Sequence, residues 1–291
     1  MLLAIETGGT KTLARLTDDG GHAVAQSRWP TKSPDRAVEA IARFVSDYLP
    51  DGQTIDGCGL ATFGPVTLTD GAGGSSGLML NTPKTGWAGS NLRLALERLL
   101  GCPCRVDTDV NAAALAELKL GAACGLPSAA YITIGTGIGG GLAFGDDTLK
   151  GHVHPEIGHM RLTRAPADCG FMGTCPFHDD CAEGLASGPA IAARLKPGES
   201  LADRRDVQAL VADYISQLLA LVTLAWSPHR IILGGGVGAS PDMLSVVRDC
   251  FAREAGTYGP MQLAADKNYL VAPAFAHSGL EGAMLLAANA A

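Results

Sequence analysis

Short apolar runs alternate with amphipathic stretches along most of the chain. Leu2-Leu3-Ala4-Ile5, Ala130-Tyr131-Ile132-Thr133-Ile134 and Ile231-Ile232-Leu233 are too short for helices and end at glycines, so they read as buried strands. The same reasoning predicts strands at 2–5, 12–17, 23–28, 56–61, 104–107, 129–134, 140–144, 230–233 and 269–272. Apolar spacing of three and four, as in Ile215, Leu218, Leu219 and Val222, predicts helices at 35–48, 90–100, 110–124, 183–195, 206–226, 242–254 and 279–289. Asp109, Ser240 and Ser278 stand where N-caps would be. Strands alternating with helices indicate an α/β protein. Over 145–182 neither period holds, and His, Pro, Gly and Cys crowd together. An irregular stretch of that length inside a compact domain is usually functional or clamped by a metal.

Each of the three apolar runs leads into a glycine-rich loop: Glu6-Thr7-Gly8-Gly9-Thr10-Lys11, Gly135-Thr136-Gly137-Ile138-Gly139-Gly140-Gly141 and Gly234-Gly235-Gly236-Val237-Gly238. Glycine backbone can curl its N–H groups around an anion. Three such loops imply a nucleotide held along its length, with phosphates between the first two and adenosine near the third. Gly8 and Gly135 lie 127 positions apart, which reads as two halves built alike around a cleft.

Composition narrows the class further. The chain has 291 residues, 47% hydrophobic and 18% charged, enough for two lobes and a well-buried core. Its 38 glycines are about 13% of the chain, against roughly 7% in ordinary proteins. A net charge of −7 and the lack of any basic run give no support for nucleic-acid binding. No basic leader precedes the first strand, and no apolar stretch approaches the roughly 20 residues of a membrane span. A cytoplasmic protein is expected, with no membrane partner. Its eight cysteines are then free thiols or metal ligands, and Cys102-Pro103-Cys104 carries no assigned function.

Asp109 lies where an apolar strand meets a helix, the place open α/β sheets reserve for ligands. The helix dipole would keep its carboxylate ionised, as a base accepting a hydroxyl proton requires, although a plain N-cap is the competing reading. Asp107 is a second carboxylate whose two-residue offset points it elsewhere. Lys11 follows Thr10 without the Walker spacing, so a P-loop is rejected. Gly135-x-Gly137-x-x-Gly140 matches the dinucleotide fingerprint, but a strand follows it where a helix is required. Cys175-x2-His178-x2-Cys181 looks like three parts of a tetrahedral zinc set, with His152, His154 or His159 supplying the fourth. Such a site would be structural. Glu156 and Glu183 flank it, would be fixed by it, and could accept hydrogen bonds from a polyol.

Taken together and in this order, Glu6–Lys11, Asp109-x-Asn111-Ala112-Ala113, Ile134–Gly141, Pro155-Glu156-Ile157-Gly158-His159 and Leu233–Val237 resemble the ROK sugar kinases of the actin-like ATPase superfamily across essentially the whole chain. The resemblance implies a two-lobed, ribonuclease H-like α/β fold with a cleft between the lobes. It places one lobe at 1–110, to which helix 279–289 returns, and the other at 111–278 with the zinc loop. It implies Asp109 as catalytic base, with Thr108, Glu156, His159 and Glu183 bordering the sugar. For ATP it implies Gly8, Gly9, Thr10, Lys11, Thr136, Gly137, Pro189, Gly235, Gly236, Val237, Gly238, Ala239 and Ser240. Zinc would be held by His159, Cys175, His178 and Cys181, and Mg2+ by Glu6. Partners are then a sugar and ATP, and a homodimer is expected.

Within that group, Phe63-Gly64-Pro65-Val66, Asn81-Thr82-Pro83-Lys84-Thr85-Gly86-Trp87 and the His-containing run Cys175–Cys181 are similar to the fructokinase branch. Many members carry Asn where Thr108 stands, and more carry Asp than Glu at position 6. The implied reaction is phosphorylation of the fructose 6-hydroxyl, with mannose or glucose as the next candidates. A sugar-responsive repressor would need a DNA-binding domain ahead of Leu2, and a zinc hydrolase would need an open metal position. Neither fits this pattern.

Overall fold

Leu3 and Ile5 face one way along the first strand and Ala4 the other, and the two faces collect different partners. The computed structural model describes residues 1–70, 75–256 and 258–291. In it, residues 1–116, 146–155 and 275–291 form one unit, and 117–145 with 156–274 form a second. The chain therefore crosses over at 116/117 rather than 110/111, and 146–155 groups with the first unit.

The first unit carries β1 (Leu2–Thr7), β2 (Lys11–Thr17), β3 (Ala23–Pro30), β4 (Gly57–Thr62) and β5 (Cys104–Thr108), ordered β3-β2-β1-β4-β5. The first three are antiparallel neighbours, and β4 and β5 run parallel to β1. Helices α1 (Pro34–Tyr48) and α2 (Leu92–Leu100) supply Ile41, Phe44 and Leu96 to the cluster around Leu3, Ile5 and Leu60. Each such fully buried side chain contributes about 1.5–3 kcal/mol. Helix α3 (Asp109–Lys119) follows β5 directly. The last helix, α9 (Ser278–Ala288), packs Leu280 and Ala283 against Ala4, Ala61 and Ala112. It lies so close to β4 that a side chain at Gly59 would overlap the Ala283 backbone. The alternation Gly57, Gly59, Ala61 against Cys58, Leu60 thus assigns one face of β4 to a helix backbone and the other to the apolar cluster.

The second unit repeats the device. Strands β6 (Ser128–Ile134) and β7 (Ile138–Phe144) form an antiparallel hairpin, and the two-residue β8 (Asp147–Thr148) follows β7 in the same sheet. After α4 (Ala182–Ala186), α5 (Gly188–Ala192) and α6 (Arg205–Trp226), β9 (Ile231–Gly234) pairs parallel with β6. A single turn, α7 (Gly235–Gly238), then α8 (Pro241–Glu254), precede β10 (Leu270–Val271), which is parallel to β9. The first two glycine loops therefore occupy equivalent hairpin turns, β1–β2 and β6–β7.

Several boundaries differ from the pattern-based reading. Helix 110–124 ends at Lys119, because the Glu117 carboxylate accepts the Ala122 amide at 2.8 Å and the chain turns through Gly125 at φ +82°. The predicted helix 183–195 is two, interrupted at Ser187, whose hydroxyl caps α5 just before Pro189. Ser240 caps α8 as expected, whereas Ser278 is already helical and His277 holds the cap position. The loop at 235–238 is one helical turn, and β8 was not anticipated. Contrary to expectation, α6 is long and apolar enough by length and composition to cross a membrane. Here its Val211, Tyr214, Ile215, Leu218 and Leu219 are buried within the second unit, so it is a core helix.

Candidate functional site

In the first unit, the β1–β2 turn closes with the Gly8 amide donating to the Lys11 carbonyl at 2.9 Å, which leaves Gly9 and Thr10 at the tip. Lys84 Nζ donates to the Gly9 carbonyl at 2.5 Å, and burial pulls its ammonium below the usual lysine range. A β-carbon at Gly9 would meet nothing within 4 Å, so packing does not require glycine there. Glu6 points under α9, where burial raises its carboxyl against the opposing pull of Lys11 and the Leu280 amide. Its Oε2 is buried without a hydrogen-bond partner. An orphaned carboxylate oxygen is the kind of hard donor that Mg2+ or its bound water takes, so Glu6 fits that ion.

At the β5–α3 junction the capping role falls to Thr108, not Asp109: the Asn111 amide donates to Thr108 Oγ1 at 3.1 Å. Asp107 turns inward. Its carboxylate accepts from the Thr108 amide at 2.7 Å, Asn111 Nδ2 at 2.8 Å and Thr148 Oγ1 at 2.6 Å. Asp109, half-buried, accepts the Val110 amide at 2.9 Å from the first turn of the helix. Asp107 and Thr108 thus hold the turn, and a second carboxylate, Asp109, rides on it. Trp87 has no such place: it is fully buried, donates to the Lys32 carbonyl at 2.7 Å and meets Phe63 edge-on. It is a core aromatic.

In the second unit, three glycines of the β6–β7 turn and strand have separate causes. A β-carbon at Gly140 would overlap Ile157, and one at Gly137 would fall 2.6 Å from Glu183 Oε2. Only Gly135 meets nothing, beside the exposed Thr136. The third loop behaves alike. Gly235 has φ +81° against the Ile134 carbonyl, and Gly238 packs on Leu233 and Ile134, while Gly236 is exposed and uncrowded. Ser240 is occupied with α8, accepting from the Met243 amide and donating to the Val237 carbonyl at 3.1 Å. Val237 and Ala239 are half-buried, and Pro189 is exposed at the start of α5.

The Pro155–His159 motif works through its glycine. Gly158 lets a tight turn lie directly on the Ile138 carbonyl, with Glu156 just before the turn and His159 at its end. Burial and the neighbouring Glu183 charge push the Glu156 carboxyl up to about 7, although its side chain keeps contact with solvent. His159 Nδ1 lies 3.6 Å from Cys175 Sγ and 3.5 Å from Cys181 Sγ, and His178 Nδ1 lies 3.9 Å from Cys175 Sγ. All four donor atoms fall within 4.8 Å of one another. Tetrahedral Zn–S and Zn–N bonds of about 2.3 and 2.0 Å imply S···N separations of about 3.6 Å, so the geometry and the two-sulfur, two-nitrogen donor set both fit zinc. Burial lowers His159, favouring the neutral imidazole that a metal ligand needs. His154 does not join: its buried Nε2 accepts the Val66 amide at 3.1 Å.

Lys84, Thr148 and His154 brace these loops without having been singled out for it, and no local pattern marks them, since their partners are distant in sequence.

A ROK family profile matches residues 2–290. A fructokinase of Zymomonas mobilis is 36% identical over 97% of this chain and 95% of its own. A fructokinase of Pediococcus pentosaceus is 35% identical over 99% and 97%. A glucokinase of Streptomyces coelicolor matches at 31% over 66% of this chain and 57% of its own. Among solved structures, a ROK glucokinase from Streptomyces griseus in complex with glucose and AMPPNP superposes with a TM-score of 0.75 at 25% identity, covering 99% of each chain. With its paired mixed sheets and equivalent glycine turns, the chain has the actin-like ATPase fold and belongs to the ROK family.

Proposed function

We propose that this chain is an ATP-dependent fructokinase, transferring the γ-phosphoryl group of ATP to the 6-hydroxyl of fructose. The observation that carries the substrate is the near full-length match to fructokinases at 36% and 35% identity, where glucokinases match at 31% or less. Asp109 accepts the hydroxyl proton as that oxygen bonds to the γ-phosphorus and the bond to the β-phosphate oxygen breaks. Backbone amides of the turns around Gly9 and Gly135 face the phosphates, and the α7 turn at Gly236 faces adenosine. The uncrowded glycine in each loop supports this, because a backbone that must approach a ligand tolerates no side chain. Bound Mg2+ would neutralise phosphate charge beside Glu6. Glu156 and Glu183 accept from sugar hydroxyls. His159, with Nδ1 turned to the sulfurs, keeps Nε2–H as a donor. A cytoplasmic homodimer is the proposed setting, which light scattering tests for the assembly.

In a sugar panel with coupled ADP detection, fructose should lead mannose and glucose by kcat/KM, and N-acetylglucosamine should be unused. A buried site can reject a sugar that leaves its polar groups unpaired by up to about 10⁴-fold. Glucose rates at or above those of fructose, at both low and saturating sugar, would remove the fructokinase assignment and leave the kinase.

Glu156 predicts a pH signature. Its raised carboxyl ionises through about pH 7 and accepts hydrogen bonds best once ionised, so the fructose KM should fall as pH rises through that value. Glu156→Gln should raise KM and flatten the profile. A wild-type KM that does not move across this range would exclude the role.

The cluster of His159, Cys175, His178 and Cys181 would hold one structural zinc, which supplies a crosslink and no open position for chemistry. Purified enzyme should therefore contain one equivalent per chain by elemental analysis. Fully active protein without zinc contradicts that assignment.

A further inference from the structure

Cys181 and Glu183 are two residues apart at the start of α4, yet they serve different neighbours. Cys181 is the residue preceding the helix and contributes its sulfur to the Cys/His cluster. Glu183 sends its carboxylate to the β6–β7 turn, where Oε2 accepts the Ile138 amide at 3.0 Å. The contact is built into the turn: a β-carbon at Gly137 would stand 2.6 Å from that same oxygen, so the position is glycine to admit the carboxylate. The start of α5 meets the turn as well, with the Gly188 amide donating to the Gly135 carbonyl at 2.7 Å. Within the turn itself, the Gly135 amide donates to the Gly137 carbonyl at 2.9 Å. The second glycine turn is thus held at one end by Glu183 of α4, a five-residue helix that starts at a cluster sulfur, and at the other by the first residue of α5.

We infer that Glu183 is a positioning residue that couples the Cys/His cluster to the 135–138 turn. The helix is too short to be stable alone. Its origin is set by Cys181, itself held by the metal donors and by the Ala182 amide donating to the Met160 carbonyl at 2.9 Å. Loosening the cluster frees the origin of α4, Glu183 moves, and the turn loses its acceptor. One carboxylate oxygen suffices for this, so a sugar contact through the other is compatible. The consequence for catalysis rests on the proposed role of the turn in holding ATP phosphates: loss of the metal would then weaken nucleotide binding as well as sugar binding.

Hydrogen exchange read by mass spectrometry on peptides covering 134–140 tests the coupling without turnover, on metal-loaded protein, on protein treated with a strong chelator, and on Glu183→Ala and Glu183→Gln. A hydrogen bond to an ionised carboxylate is among the stronger ones, so chelation and Glu183→Ala should each speed exchange there by about ten-fold or more. Glu183→Gln, which keeps an acceptor oxygen, should stay near wild type. Chelating Glu183→Ala should add little, because both perturbations act through one contact. Peptides covering α6 and α8 report whether the unit stays folded. Equal acceleration by chelation in wild type and Glu183→Ala would overturn the coupling, as would unchanged exchange in either case. Calorimetric titration with AMPPNP and Mg2+ separates the functional reading. Faster exchange with undiminished nucleotide affinity would sustain the coupling and remove the turn from the ATP site.

Discussion

Replacing Asp109 with Asn is expected to lower kcat by about 10²–10⁴-fold, the usual cost of losing a general base, while AMPPNP binding stays near wild type. The variant isolates the chemistry because neighbouring residues fix the turn. Thr108 caps α3, and Asp107 locks the turn through the Thr108 amide, Asn111 and Thr148. Asn at position 109 can still accept the Val110 amide through its side-chain oxygen. What it loses is the ability to take a proton, at a place where the helix dipole favours the ionised carboxylate. Unchanged thermal stability with collapsed turnover is the expected pair of results. Turnover near wild type would reduce Asp109 to a surface residue of the helix start.

That separation of roles could not be read from the sequence. Asp107-Thr108-Asp109 offers three capping side chains in a row, and spacing alone cannot say which one the helix uses. The strands and long helices were legible because apolar period and burial coincide: Leu3 and Ile5 against Ala4, or Val211, Ile215, Leu218 and Val222 along α6. The zinc-type cluster was legible because three of its donors lie within seven residues, whereas spacing left the fourth open among three histidines and only the family resemblance singled out His159. Long-range polar contacts left no trace. Lys84 on the first glycine turn lies 75 residues from Gly9, and Glu183 lies 45 from Ile138. The place of Trp87 is equally a matter of distant neighbours: those in sequence are polar and turn-forming, but its ring is buried by residues far along the chain.

The same cause hid the framework of the irregular region, and it sets the largest expected stability effect. Asp168, Arg194 and Tyr214 come from three separate segments and are all buried. Asp168 accepts from Arg194 at 2.7 and 3.2 Å and from the Tyr214 hydroxyl at 2.9 Å. Arg194 also donates to the Leu185 and Ala190 carbonyls at 2.9 Å and stacks on Phe171. Polar groups at such positions produce no apolar period, yet they fasten 165–171 and the ends of α4 and α5 to the core helix α6. Removing one partner strands the other charge, so Asp168→Ala should destabilise by about 3–5 kcal/mol in urea unfolding. Burial works against the Asp168 charge, but Arg194 and Tyr214 outweigh it and hold the carboxyl below its ordinary value of 3.8. A depressed native pKa gives stability that is complete above that ordinary value and lost as pH falls through the native one. The gap between wild type and Asp168→Ala should therefore be full at neutral pH and narrow in strong acid. Replacing the pair by apolar residues, Asp168→Leu with Arg194→Met, should cost far less than the single change, because no charge is left unpaired. A single-variant loss under about 1 kcal/mol, the range of an exposed ion pair, would mean that packing around α6 holds the region without this network.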